Sequence, residues 1–147
     1  MPRFHLADDI LNFAIARENQ AHEFYIELAG LATKPEVRRA IHDFAIDELQ
    51  HGFRLEAIKA QEASFLDEDV GSLDIEEKIP EAELRPEMSY GDLLVVAMKR
   101  EKAAFRLYTN LASVAKNKEL RDTFLGLARE EAGHKLRLEI EYDWETS

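Results

Sequence analysis

Apolar residues recur at helical spacing from near Leu6 through Ile10, Phe13, Ala14, Ala21, Tyr25 and Leu28 to Leu31. The run predicts about seven turns of amphipathic helix, with Asp8 or Asp9 suited to an N-terminus whose N–H groups favour a carboxylate. A break follows at Thr33-Lys34-Pro35-Glu36. Thr33 is placed to cap the next helix, Pro35 is tolerated in a first turn, and Glu36 stands where a capping box needs it. The second helix runs to about Ala63, with Val37, Ile41, Phe44, Ala45, Leu55 and Ile58 among its apolar positions.

Residues 64–89 lose the period and contain Gly71, Pro80, Pro86 and many acids. Isolated Phe65, Leu66, Leu73, Ile75, Ile79 and Leu84 can pin this stretch against a core. Ser89 and Asp92 then form a second capping-box pattern before a third helix over roughly 90–115. Lys116-Asn117 marks a short break before a fourth helix that ends near Tyr142. Two short turns flanking one long connection describe two antiparallel helical hairpins joined by a crossover, an all-α four-helix bundle. A helix of about 28 residues is roughly 42 Å long, a distance that the long connection can span with slack for a short helical turn. One domain over residues 1–147 accounts for the whole chain.

Shifting the chain by 83 residues superimposes its halves without a gap. Arg17-Glu18 falls on Arg100-Glu101, Ala21 on Ala104, Tyr25 on Tyr108 and Arg38 on Arg121. Glu48 falls on Glu131, His51 on His134, and Arg54-Leu55 on Arg137-Leu138. An internal pseudo-twofold relation between the hairpins follows, and such symmetry can bring the same residue from each half to one centre.

Glu48-Leu-Gln-His51 and Glu131-Ala-Gly-His134 each place a carboxylate and an imidazole on one helix face. Glu18 lies 16 residues before Lys34 and Glu48 lies 14 after it, so the two stand at similar height on adjacent antiparallel helices. Glu101 and Glu131 repeat that separation around the second turn. Six candidate ligands thus converge at mid-bundle, flanked by Ile41, Phe44 and Leu55 and by Phe124, Leu127, Ala128 and Leu138. Four carboxylates in an apolar setting repel one another and lose hydration, and two divalent cations would neutralise them. The repeat makes Glu48 and Glu131 the candidate bridges and Glu18 and Glu101 the terminal ligands. Mixed oxygen and imidazole ligation suits iron or manganese, and zinc binds such sets too. The bland alternative is a set of separate surface ion pairs and core histidines.

Other residues carry two readings each. Tyr25 and Tyr108 lie two turns beyond Glu18 and Glu101 on the same face. Each can hydrogen-bond a ligand or accept an oxidising equivalent, or serve as a core tyrosine. Ala21 and Ala104 leave room beside the glutamates or let helices pack closely. His22 and His42 lack histidine counterparts in the repeat, which favours peripheral or packing roles, and His5 is incidental. Asp47 and Glu130 precede the motif glutamates and can support the ligands from behind, although a solvated face suits them better. Arg17, Arg54, Arg100 and Arg137 can offset ligand charge or form helix ion pairs. Trp144 can seal a bundle end or a subunit interface.

Composition removes several alternatives. The chain has no cysteine, which excludes disulfides, cysteinate metal sites and thiol catalysis. Its formal charge of −11 argues against nucleic acid or anionic lipid as partner. No run approaches a membrane span and the N-terminal MPRFHLADD lacks the apolar stretch of a signal peptide, so the expected location is the cytoplasm.

The combination of Glu18, Glu101, Glu48/His51 and Glu131/His134 resembles the ferritin-like superfamily, especially the diiron domain of rubrerythrins. The resemblance covers nearly the entire chain. It implies a non-haem diiron oxidoreductase that oxidises bound Fe(II) with hydrogen peroxide or dioxygen, and it implies a homodimer. Rubrerythrins usually carry a further glutamate one turn after the third-helix ligand, where this chain has Ala104. The site therefore looks closer to the symmetric four-glutamate, two-histidine arrangement of bacterioferritin-like proteins. The cysteine-rich electron-delivering module of full-length rubrerythrins is also missing, so an external electron donor is expected. A non-catalytic iron-handling protein, or a helical interaction module with a structural metal, would use the same residues.

Overall fold

The computed structural model describes the backbone of residues 4–73 and 87–147 and the side chains of residues 6–69 and 87–147. The elements in chain order are β1 (Phe4–Leu6), α1 (Ala7–Leu31), α2 (Pro35–Gln61), α3 (Ala63–Leu66), β2 (Asp69–Leu73), α4 (Tyr90–Val114) and α5 (Lys118–Thr146). They divide into two compact units, one of residues 11–63 and one of residues 1–10 with 64–147. No helix among the described residues is long and apolar enough to cross a membrane.

The four long helices share one burial pattern. Ala7, Leu11, Ala14, Glu18, Tyr25, Leu28 and Ala32 are buried along α1 and its end, as are Val37, Ile41, Phe44, Glu48, His51, Leu55 and Ile58 on α2. Leu94, Ala97, Glu101, Tyr108, Leu111 and Ala115 do the same on α4, and Leu120, Phe124, Leu127, Glu131, His134, Leu138 and Glu141 on α5. The steps alternate between three and four residues, with half-buried Ala21 and Ala104 filling the two gaps. This alternation is the heptad spacing by which a helix presents one apolar seam to its neighbours. Each buried Leu, Ile or Phe on it contributes about 1.5–3 kcal/mol. That apolar majority offsets the cost of the Glu and His residues on the same seam.

In the unit of residues 11–63, α1 and α2 form an antiparallel hairpin. Asn12 accepts from Lys59, His22 Nδ1 meets the Ala45 carbonyl at 2.8 Å, and the Tyr25 ring meets Phe44 edge-on at 5.6 Å. The expected Thr33/Glu36 box does not form. Pro35 at the first turn fixes the helix start, so Lys34 is the N-cap residue, without a side-chain cap, and Glu36 falls one position short of a box. The turn is secured instead by Arg38, whose Nη2 donates to the Ala32 carbonyl at 2.8 Å.

In the other unit, α4 and α5 form the second hairpin. Here the Ser89/Asp92 capping box is present in full, and Asn117 caps α5 by accepting from the N–H groups of Glu119 and Leu120. Arg121 Nη2 donates to the Ala115 carbonyl at 3.4 Å, repeating the Arg38 contact 83 residues on. The helix α5 continues to Thr146, four residues past its expected end.

Helix α1 starts at Ala7 with Asp8 and Asp9 in its first turn, as expected, and a short strand precedes it. Phe4–Leu6 is not helical but pairs antiparallel with Asp69–Leu73, and the Ala7 N–H donates to the Glu68 carbonyl at 2.9 Å. The ribbon thus ties the connection after α3 to the first turn of α1. Phe65, on the single turn of α3, is buried against Phe124 at 5.5 Å between ring centroids, and Glu68 pairs with Lys116 at 3.0 Å. Phe65 therefore pins the connection as expected. Ile75, Ile79, Pro80, Leu84 and Pro86 lie outside the described residues, as do the side chains of His5 and Leu73.

Candidate metal centre

Each hairpin carries a buried triad on its seam. In the unit of residues 11–63, α1 supplies Glu18 while α2 supplies Glu48 and His51 from successive seam positions. Their exposures are 3%, 1% and 1%, so none is solvated. His51 Nδ1 stands 3.3 Å from Glu18 Oε2 and 3.2 Å from Glu48 Oε1. Burial alone lowers the imidazole pKa, but hydrogen bonds and the charges of Glu18 and Glu48 outweigh it and push the value up to about 11.

The other unit repeats the arrangement. Glu101 comes from α4, and Glu131 and His134 from α5, with exposures of 2%, 1% and 5%. His134 Nδ1 lies 3.6 Å from both Glu101 Oε1 and Glu131 Oε1. Within each triad, one ligand atom from every residue falls within 4.8 Å of the others.

The donor set fits a divalent metal ion. Two carboxylates and one imidazole offer hard oxygen and borderline nitrogen donors, the mixture that suits iron, manganese or zinc. Two buried carboxylates beside one imidazole also concentrate negative charge away from water, a costly arrangement that a cation relieves. A proton on His51 is what the metal-free geometry uses for that purpose.

The surrounding residues divide more clearly than the sequence allowed. Tyr25 and Tyr108, both 1% exposed, lie two helical turns from Glu18 and Glu101 on the same seams. His22 is a packing residue that bridges α1 to an α2 carbonyl, and His42 is exposed. Arg54 and Arg137 are exposed, and Arg17 lies over the Phe13 ring at 5.9 Å. Trp144 is 69% exposed, so it seals no bundle end.

One polar pair, a buried carboxylate with a half-buried phenol, was missed. Glu141, 8% exposed, occupies the seam of α5 two turns beyond His134 and accepts from the Tyr90 hydroxyl at 3.1 Å. Burial and the Glu141 carboxylate push the Tyr90 phenol well above its ordinary range. The spacing of Glu141 from His134 was the available signal. The repeat hid it, because Glu141 corresponds to Ile58 and Tyr90 to Ala7.

A protein from Thermotoga maritima, whose crystal structure is described as that of a ferritin-like diiron-carboxylate protein, matches with a TM-score of 0.85 at 22% identity, covering 100% of both chains. A hypothetical protein from Pyrococcus furiosus matches with a TM-score of 0.73 at 28% identity, over 92% of this chain and 87% of that one. The fold is accordingly the all-α, ferritin-like four-helix bundle. No curated protein matches the chain. The rubrerythrin family model matches residues 9–91 and 92–143, a division that follows the internal repeat. By that match over nearly its whole length, the chain belongs to the rubrerythrin family.

Proposed function

We propose that the two triads form one dinuclear iron centre, and that the protein is a non-haem diiron oxidoreductase. It would oxidise bound Fe(II) with hydrogen peroxide or dioxygen and depend on an external electron donor. The observation that carries this reading is the burial, at identical repeat positions, of two carboxylates around one imidazole in each hairpin. Family membership supports it, as does the likeness to a protein described as a diiron carboxylate protein.

Glu48 and Glu131 would each hold both ions, Glu18 and Glu101 would each hold one, and His51 and His134 would each give one ring nitrogen. Two iron ions, when bound, supply the two electrons that, with two protons, reduce hydrogen peroxide to two waters. The chain does the rest by position. Its carboxylates concentrate the negative charge that favours the higher oxidation state, and the apolar residues around them keep bulk water away. Tyr25 and Tyr108 would each hold a ligand carboxylate by the hydroxyl, or release a proton and an electron together; their burial two turns along the same seams supports this reading. Manganese or zinc could fill the same donors, but zinc offers no redox chemistry. The setting we propose is cytoplasmic, and the active form a homodimer of single-domain chains.

Anaerobic titration with Fe(II), followed by rapid mixing with peroxide or dioxygen, tests the reading. Two equivalents should bind and then oxidise within one rapid phase. Binding of fewer than two ions overturns the dinuclear centre. Two bound ions that resist oxidation would leave an iron-handling or structural role.

A further inference from the structure

The two hairpins repeat their seams but not their outer faces. Between α4 and α5, Lys102, Phe105, Arg106, Ala132, Lys135 and Glu139 line a cavity of about 370 Å³. Moved back by 83 residues, these positions read Asn19, His22, Glu23, Leu49, Gly52 and Glu56. Three cations and one carboxylate on one hairpin thus stand against two carboxylates and no lysine or arginine on the other. On α1 and α2, His22 spans to the Ala45 carbonyl, and Gly52 packs beside Asn19 and Glu18. On α4 and α5, Phe105 stands in place of that histidine with 39% of its surface exposed, and Lys135 stands in place of the glycine. Lys135 pairs with Glu139 at 3.1 Å and offsets its charge, so Lys102 and Arg106 set the sign of the groove. In a chain of net charge −11, such a cluster runs against the general trend.

A cavity of this size falls within the range of small-molecule sites. An arginine and a lysine one turn apart suit a phosphate, arginine by its planar fork of donors. An exposed phenyl ring between them suits a planar ring. Ala132, smaller than the Leu49 it replaces, leaves space opposite. We infer that this groove binds a phosphorylated planar aromatic ligand of the flavin mononucleotide class, its phosphate on Arg106 and Lys102 and its ring against Phe105.

Lys102, Ala132 and Lys135 directly follow Glu101, Glu131 and His134, so the groove flanks the same helical turns as the triad. The thickness of one helix, about 10 Å, sets the scale of the separation. A reduced flavin there loses two electrons and two protons as its hydroquinone becomes the quinone, and two ferric ions each take one electron to return to Fe(II). This redox step rests on the function proposed above, whereas the binding does not.

Titration of the full-length, metal-free protein with oxidised flavin mononucleotide, read by flavin fluorescence, tests the binding. Riboflavin carries the ring alone, inorganic phosphate the anion alone, and adenosine monophosphate a different phosphorylated ring. Saturable binding at one site is expected, with riboflavin and phosphate each weaker by about tenfold or more. Arg106→Glu and Lys102→Glu should each weaken it by about tenfold or more, without changing the circular dichroism or melting midpoint, because both side chains are exposed. No saturable binding, or binding that ignores both substitutions, overturns the site. Adenosine monophosphate binding as tightly as the flavin overturns the flavin assignment. In iron-loaded, oxidised protein, Arg106→Glu should slow anaerobic reoxidation of reduced flavin mononucleotide by about tenfold while peroxide oxidation of bound Fe(II) keeps its rate. Flavin binding without Arg106-dependent electron transfer overturns the redox step, and failure to load two irons counts only against the proposed centre.

Discussion

The Tyr90 hydroxyl donates to Glu141 Oε2 at 3.1 Å, joining the first residue of α4 to the last buried residue of α5. Both stand on the seam that carries Glu101, Glu131 and His134, three and two turns away. The pair ties the start of α4 to the far part of α5 and so helps fix the register of the second hairpin. Tyr90→Phe leaves the Glu141 carboxylate buried without that donor and should cost about 1–2 kcal/mol of stability, discounted for the half-buried position of Tyr90. Glu141→Ile in the same chain, which copies Ile58 of the first hairpin, should recover most of the loss. Chemical denaturation of the two variants checks both statements, and iron stoichiometry should stay unchanged.

The His51 environment makes a prediction about pH. Glu18 and Glu48 raise its folded pKa from 6.5 to about 11, so the protonated form is favoured by folding. Such a group contributes stability that is fully present below the unfolded value and is lost as pH rises through the folded one. Metal-free protein should therefore lose stability between about pH 6.5 and pH 11, and His51→Gln should flatten that slope relative to wild type. Bound metal displaces the proton, so the loaded protein should lack this contribution. Melting midpoints across the pH range for the three species would show whether His51 is the group responsible.

How far these features could be read in advance depended on whether both halves carried them. The Glu-x-x-His pairs, Glu18 and Glu101, and the arginines at 38 and 121 were legible because helical spacing and the repeat reinforced each other. Arg38 and Arg121 prove to do the same work, each securing the carbonyl that ends its turn. Tyr90 and Glu141 break the repeat, and so that comparison gave no signal. The ribbon of Phe4–Leu6 with Asp69–Leu73 depends on pairing between distant segments, which no local pattern records. At the first turn, proline at the start of α2 moved the cap by one residue, enough to defeat a box whose residue types were right. The cationic groove went unread for a simpler reason. Its residues look like an ordinary solvated face until the other hairpin shows what that face carries by default.

The exposed face of α5 leads to a prediction about assembly. Leu136, Ile140 and Trp144 recur every fourth residue with exposures of 60%, 47% and 69%, and Phe53, the repeat partner of Leu136, is 65% exposed on α2. An apolar stripe of this kind is the sort of surface that a homodimer covers. Leu136→Glu with Trp144→Ser should convert a dimer to monomer in light scattering behind gel filtration, leaving helicity intact because neither side chain supports the core. A wild-type chain that runs as a monomer would remove the dimer from the proposal.

The assignment of bridging ligands is the part of the proposed centre that a single substitution can separate. Glu18 and Glu101 are each the lone carboxylate that their helices contribute to a triad, whereas Glu48 and Glu131 share a helix face with His51 and His134. If Glu48 and Glu131 bridge, removing either one weakens the hold on both ions. Glu48→Ala should therefore reduce iron from two equivalents to well below one, and Glu131→Ala should do the same. Glu18→Ala or Glu101→Ala should instead leave one ion bound more tightly than the other. Loss of a second-position ligand or its support typically costs about 10–100-fold in metal affinity, large enough to resolve by equilibrium dialysis with metal analysis. Metal-free stability gives the necessary control. Loss of a buried partner of His51 or His134 lowers metal-free stability, so circular dichroism at the titration temperature must show each variant folded before its stoichiometry is read. Clean loss of one ion from Glu48→Ala would assign that residue to a single metal and overturn the bridge.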